Sequence, residues 1–480
     1  MKVAASPRVY MAMPESSIQV TSHLWMVTKY NLRASPLFIL RGASIFLCAA
    51  PTLLTPHSSL LTREKSFRPQ SMGAPPYGLT LPSSFMRYNE SIPIIFKKRG
   101  FTMVNTERMK RTFTELVSMY APSKGEREVC EYLKKKLKSL GASKVIEDND
   151  GSVNGGNCGN LIAVWNGNAP GLPSIALTAH MDCVECCQGI EPVLEDGVFT
   201  SKGDTILGGD DKAGVTAILE GIALMKEMYI PHGKITVIFT VQEEIGLFGS
   251  KYIEEKYIQG IDFGYVLDAD GPAGSLYNAG PSQYQLSFTL KGVAAHAGMA
   301  PEKGTNAIAM AAEAIAHCPT GRIDEETTCN IGTITGGTAT NIVPDTCVVR
   351  AEARSRDPKK LEALVDTMVH AFETAAKKFP EGSLSVHKEK SYDAFLVKES
   401  DPALKLFKKA ASSMGKTMTV AKSGGGSDAN WFGTKGFPAV LVGVGMTDFH
   451  TSRESLKEQD LYDAGLLVYK IIEEESHLGE

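Results

Sequence analysis

Several features that would assign a chain to a class at once are missing here. There is no surplus of charge: Lys and Arg number 50 and Asp and Glu 54, a net charge of −4 at pH 7. So even a balance offers no broad cationic surface for nucleic acid or an anionic membrane, and neither partner is expected. There is no disulfide framework. The 9 cysteines are odd in number and recur at no fixed interval, which suits reduced thiols in a cytosol or organelle. A closed cysteine-rich zinc site is also missing. Cys183, Cys186 and Cys187 make a C-x-x-C-C run with no second pair to complete it, and they read as loop residues. The apolar stretch at residues 36–54 is broken by Arg41 and Pro51, so it is a poor membrane span.

What is present begins unevenly. Residues 1–100 hold 12 Lys or Arg, among them Arg8, Arg33, Arg41 and Arg63, against Glu15, Glu64 and Glu90 alone. The stretch is rich in Ser and Pro and carries no sustained helical or strand period. That composition resembles an organelle transit peptide, and the plainer reading is a disordered extension. The location implied is cytoplasmic, or mitochondrion or plastid if the extension is a transit peptide. Met103 opens MVNTERMKRTFTEL, which reads as a second start running directly into a helix.

From there the pattern is globular, and 480 residues call for more than one domain. Apolar residues at helical spacing predict helices over 105–119 and 124–140. Strands are predicted at 160–167 and 174–180, a helix at 212–228, and strands at 234–244 and 263–271. This alternation predicts an α/β domain with a largely parallel sheet, whose active site lies beyond the carboxyl ends of the strands. Next comes a strand at 285–291, a helix at 306–317, strands at 330–335 and 346–355, a helix at 358–378 and a strand at 383–390. The order β-α-β-β-α-β predicts an inserted ferredoxin-like unit. The α/β pattern then resumes. The expected division is an extension at 1–102, a catalytic domain in two parts at 103–282 and 393–480, and the inserted α+β domain at 283–392.

The chemistry-bearing residues fall at strand ends. TAHMDCV sets His180 and Asp182 two apart, on one side of an extended chain. Neutral imidazole binds zinc well, and a carboxylate can hold its other nitrogen. GGDDKAG places Asp210 after two glycines and before a helix, where acids are also favoured by the helix dipole. Glu243 and Glu244 follow the apolar run VIFTV. Two adjacent carboxylates there repel each other and lose hydration, a penalty that a cation removes. One can bind metal while the other takes a proton from water. Asp268 and Asp270 repeat the pattern, and His450 in TDFHTSRES adds a second imidazole. Imidazole with several carboxylates suits two zinc ions sharing one acid, with cobalt or manganese also fitting such donors.

Taken in order, TAHMDCV, GGDDKAG, VQEEIGLFGS, YVLDADG, LKGVAAHAG and DFHTSRES resemble the motifs of the peptidase T-like branch of the aminoacylase and carboxypeptidase G superfamily of dizinc exopeptidases. The resemblance spans about residues 103–478. It implies a zinc-exopeptidase-like three-layer α/β/α catalytic domain with the ferredoxin-like insert as lid or dimerisation domain. It implies that His180 and His450 each bind one metal, Asp210 bridges, Asp182 orients His180, Glu243 is the general base and Glu244 a ligand. Asp268 is the remaining ligand by this alignment, with Asp270 the alternative. His296 would stabilise the oxyanion, and Arg354 in EARSRD would hold the substrate carboxylate. Asn341 in TATNIVPD is a further substrate contact. The departure is Gly424, in SGGGSDAN, where peptidase T proper carries an arginine; strict tripeptide preference is put in doubt. The resemblance thus implies hydrolysis of short peptides and a homodimer through the inserted domain. Two alternatives are a dizinc amidohydrolase acting on N-acyl amino acids and an inactive binding protein.

Overall fold

The computed structural model describes residues 104–479. The basic extension, and with it the transit-peptide reading, lies outside these residues. Two separate hydrophobic cores form among them.

The larger core surrounds a mixed sheet. Across it the strands run Lys144–Glu147, Leu161–Trp165, Ile235–Thr240, Ile175–His180, Phe263–Asp270, Ala439–Thr447, Ser455–Lys457, Val198–Ser201 and Pro192–Glu195. The central strands, from Ile235–Thr240 to Ala439–Thr447, are parallel. Those on either flank pair antiparallel, so the expected parallel order holds only in the middle. Every residue of Ile175–His180 and of Ile235–Thr240 is buried. Strands covered on both faces read as continuous apolar runs rather than alternating ones, which is why both were visible in the sequence. The helix Gly209–Glu227 is buried from Gly209 to Met225, held between the sheet and the last long helix, Glu458–Ser476. Gly221 permits that contact, since a Cβ there would meet Val468 Cγ1 at 2.3 Å.

The smaller core lies under a five-stranded antiparallel sheet. Its long strands, Ser282–Lys291, Thr327–Gly336, Thr346–Ser355 and Ser383–Tyr392, stand in the order second, third, first, fourth. The helices Ala307–His317 and Pro358–Ala376 cover one face, and Phe288 stacks on Phe372 with ring centres 3.7 Å apart. The opposite face is polar, with Gln285 and Arg350 exposed and Ser287 and Glu352 partly so. This is the predicted ferredoxin-like order. Where the chain passes between the domains, Phe395–Leu396 pairs with Ala279–Gly280. Asn430 clamps both crossings by donating its amide to the carbonyls of Pro281 at 2.9 Å and Asp393 at 2.7 Å.

Candidate metal centre

The parallel strands deliver their carboxyl ends to one edge of the sheet, and the acids gather there. His180 ends its strand. Its Nε2 lies 3.0 Å from Asp210 Oδ1 and 3.6 Å from Asp268 Oδ1. On the other side of Asp210, Oδ2 lies 3.1 Å from His450 Nε2, which is 2.9 Å from Glu244 Oε2. Two donor clusters result, His180–Asp210–Asp268 and Asp210–Glu244–His450, each with its donor atoms within 4.8 Å of one another. Asp210 belongs to both. Asp268 joins a cluster, whereas Asp270 is exposed and accepts a hydrogen bond from the Tyr277 hydroxyl.

Asp182 is fully buried behind His180, with Oδ1 at 3.4 Å from Nδ1. It also gathers the turn that carries the paired glutamates. Its oxygens accept the N–H of Glu243 at 3.1 Å and of Glu244 at 3.2 Å, and the Ser123 hydroxyl at 2.6 Å. Glu126, likewise buried, accepts the N–H of Gln242 at 3.0 Å. The strand therefore stops at Thr240 rather than reaching Glu244. Gln242 adopts φ +55°, and the next N–H groups turn toward carboxylates instead of a neighbouring strand. Helix Gly209–Glu227 shows a similar departure: Asp210 and Asp211 have non-helical backbone angles, and the Asp210–Asp211 peptide is cis.

The electrostatics of the clusters call for positive charge. Burial raises Glu243 well above the usual carboxylate range, and the charges of Asp268 and Glu244 raise it further, with His180 opposing them. Burial pushes Asp268 up to about 7 despite the nearby His180, and Asp210 adds to the rise. Asp210 itself is held low against its burial by the imidazoles of His180 and His450. His450 is raised to about 10 by hydrogen bonds to Asp210 and Glu244. Oxygen and imidazole donors in two sets that share one carboxylate fit a pair of divalent ions.

The small domain contributes differently. Arg354 is partly buried, its guanidinium donating to Glu352 at 3.1 Å and 2.9 Å. Burial lowers its pKa, but the nearby Tyr392, Glu352 and Glu243 more than offset this and leave it raised. His296 and Asn341 are exposed and stand outside both clusters. Their loops are joined, Ala297 donating to the Asn341 carbonyl at 3.0 Å. His296 Nδ1 accepts the N–H of Met299 at 3.1 Å and of Gly298 at 3.2 Å, which in a neutral ring leaves the proton on Nε2. Around a Cβ position at Gly424 there is no atom within 4 Å.

Sequence reasoning did not single out Asp428, Lys212, Tyr392 or Glu454. Asp428 is buried and accepts the Thr240 hydroxyl at 2.5 Å. Lys212 is fully buried and donates to the Asp182 carbonyl at 3.1 Å and to Cys183 Sγ at 3.2 Å. That contact, rather than a donor cluster, accounts for Cys183. Tyr392 packs so closely on Gly426 that a Cβ there would meet its hydroxyl at 2.2 Å. The one signal in the sequence was position: Lys212 lies in GGDDKAG, Asp428 in SGGGSDAN and Glu454 in DFHTSRES, whereas their burial is not readable from loops.

Comparison with known proteins bears on the fold and the family. The peptidase dimerisation domain of the M20 family matches residues 283–380, and the M42 glutamyl aminopeptidase family matches residues 193–281. The aminopeptidase PepT of Bacillus cereus ATCC 10987 is 43% identical, over 78% of this chain and 99% of that one, with a TM-score of 0.71. A tripeptidase of Staphylococcus aureus is 37% identical, over 78% of this chain and 100% of that one, with a TM-score of 0.74. Peptidase T of Halothermothrix orenii is 26% identical over 392 residues, 74% of this chain and 93% of that one. With two donor clusters meeting at one aspartate, an inserted dimerisation domain and full-length likeness to solved peptidases, the chain belongs to the M20 family of metallo-exopeptidases, in its peptidase T-like branch.

Proposed function

We propose that the protein is a two-zinc aminopeptidase that removes residues from short peptides, tripeptides among them. The observation that carries this reading is Asp210, whose two oxygens face two separate donor sets. His180 and Asp268 would hold one ion, His450 and Glu244 the other, and Asp210 both. Bound there, the ions would supply Lewis-acid polarisation of the scissile carbonyl and of the attacking water. Asp182 fixes the orientation of His180. Glu243 takes a proton from the attacking water and returns it to the leaving amine. A carboxylate beside the ions is suited to that two-way transfer. His296 donates from Nε2 to the developing oxyanion. Arg354 holds the peptide carboxylate, with Asn341 as a further contact. The domain at 283–392 closes over the substrate and pairs two copies of the chain, the divided domain at 103–282 and 393–480 bearing the ions.

Glycine at position 424, in place of an arginine that would clamp the peptide carboxylate, supports tolerance of peptides longer than three residues. The test is hydrolysis of a panel of di-, tri-, tetra- and N-acyl peptides by the purified protein, with added zinc and with chelator. Chelator-sensitive release of N-terminal residues from free-amino peptides is expected. Turnover confined to N-acyl substrates would replace the reading with an amidohydrolase, and none at all would leave a binding protein.

A further inference from the structure

Glu454 stands outside both donor clusters, yet only 2% of it is exposed. Among the described residues no cation lies within ion-pair distance of it, an unusual state for a buried glutamate. Both oxygens are committed to backbone. Oε2 accepts the N–H of Gly208 at 2.8 Å, and Oε1 that of Asp210 at 3.0 Å. Gly208 has φ +72° and Asp210 a non-helical backbone, so the two N–H groups converge into a concave anion seat. A carboxylate from elsewhere in the chain fills it. The fit is close, since a Cβ at Gly209 would lie 3.1 Å from Oε1.

Glu454 also belongs to the loop that carries His450. That loop is folded by its own bonds: Glu454 N–H to the Thr451 carbonyl at 3.0 Å, and the Thr451 hydroxyl to the Asp448 carbonyl at 2.7 Å. The segment bearing Asp210 and the loop bearing His450 are therefore fastened together through one side chain. The two imidazoles differ in how much they need this. The His180 side chain is 2% exposed and ends a buried strand. His450 is 46% exposed, on a loop, with φ +62°, a backbone region that costs a residue with a Cβ.

We propose that Glu454 is a positioning residue for the Asp210–Glu244–His450 subsite, holding the backbone of Asp210 against the His450 loop. The proposal rests on the two-metal reading. Glu454→Gln tests it, because it is isosteric but turns one acceptor into an N–H donor facing a backbone N–H. The measurement is titration of the full-length protein with zinc against a chromophoric chelator, repeated with cobalt for its visible absorbance. The wild type should bind two ions. E454Q should bind the second ion about 10–100-fold more weakly, as for other residues that support metal ligands, with a distinctly smaller loss at the first, which shares Asp210 but keeps the buried His180. The cobalt absorbance of the second equivalent should fall with it. Glu454→Asp, which keeps the charge on a shorter stem, should recover part of the loss. Glu475→Gln serves as the matched control. Glu475 also accepts a backbone N–H while buried, from Gly233 at 2.9 Å, ahead of the strand's amino end, and it should leave both ions in place. Two ions bound to E454Q at wild-type affinity overturn the proposal, as does equal weakening of both that tracks a lowered melting temperature. Fewer than two ions on the wild type overturn the metal reading itself, and this proposal with it.

Discussion

At the carboxyl edge of the large sheet, Asp182, Asp210, Glu244 and Asp268 crowd around two imidazoles, His180 buried and His450 partly open. The small domain, by contrast, offers an exposed histidine, an exposed asparagine and one arginine already paired with Glu352. The first region concentrates charge and shifts protons. The second keeps its apolar residues to its own core, Phe288 on Phe372, and presents polar groups on loops and an open sheet face. On the proposed reading the difference separates two tasks, catalysis and, apart from the oxyanion donor His296, recognition. Chemistry needs groups whose environments are fixed and dry, whereas recognition of variable peptides needs groups that can approach and withdraw.

That contrast can be broken experimentally, and the largest effect belongs to the chemistry. Glu243→Gln should cost about 10²–10⁴-fold in kcat, roughly 3–5.5 kcal/mol, while bound metal is retained. Near-normal turnover with full metal would remove Glu243 from its role. Next, Phe372→Ala should destabilise the small core by about 3–5 kcal/mol. Calorimetry should show that loss in a transition separate from the metal-bearing domain, and one merged transition would argue that the cores are not independent. Chelation should act on the other side. Removing cations leaves the acids facing one another, and a ligand present at about 100–1,000 times its Kd contributes roughly 3–4 kcal/mol. The melting temperature of the large domain should fall, and an unchanged value would speak against metal in the clusters.

Arg354→Met sharpens the comparison on the recognition side. Loss of a charged hydrogen bond costs about 1.5–3 kcal/mol, so kcat/KM for free-carboxylate peptides should drop about 10- to 150-fold, with C-terminally amidated peptides little affected. Equal losses on both would make Arg354 a structural residue. The smallest effect concerns Glu475, buried away from the site and pushed up to about 7. A carboxyl with a raised folded-state pKa binds its proton more tightly in the native protein. Stability therefore declines as pH rises from about 4.5 to 7. Glu475→Gln should flatten that part of the melting-temperature profile, and an unaltered slope would place the titration elsewhere.

The sequence alone was informative wherever one local pattern carried the signal. Continuous apolar runs revealed the buried central strands, because both faces of each are covered. The 3.6-residue and two-residue periods revealed the order of the inserted domain. The ordered motifs revealed His180, Asp210, Glu244 and His450, whose spacing along the chain is tied to strand ends. Other matters needed the third dimension. Asp268 and Asp270 share a strand face and look alike in one dimension. Only the position of His180 on the adjacent strand sets Asp268 in a cluster, while Tyr277 occupies Asp270. The strand predicted to run to Glu244 ends at Thr240 because Glu126 and Asp182, far away in sequence, capture the following N–H groups. Glu454 lies within DFHTSRES, yet nothing local marked what it does. Its burial, and the two backbone groups it accepts, arise from a contact 244 residues long for Asp210. Local composition decides which elements form. Which carboxylates meet a metal, and which merely hold the backbone around it, is decided by long-range packing.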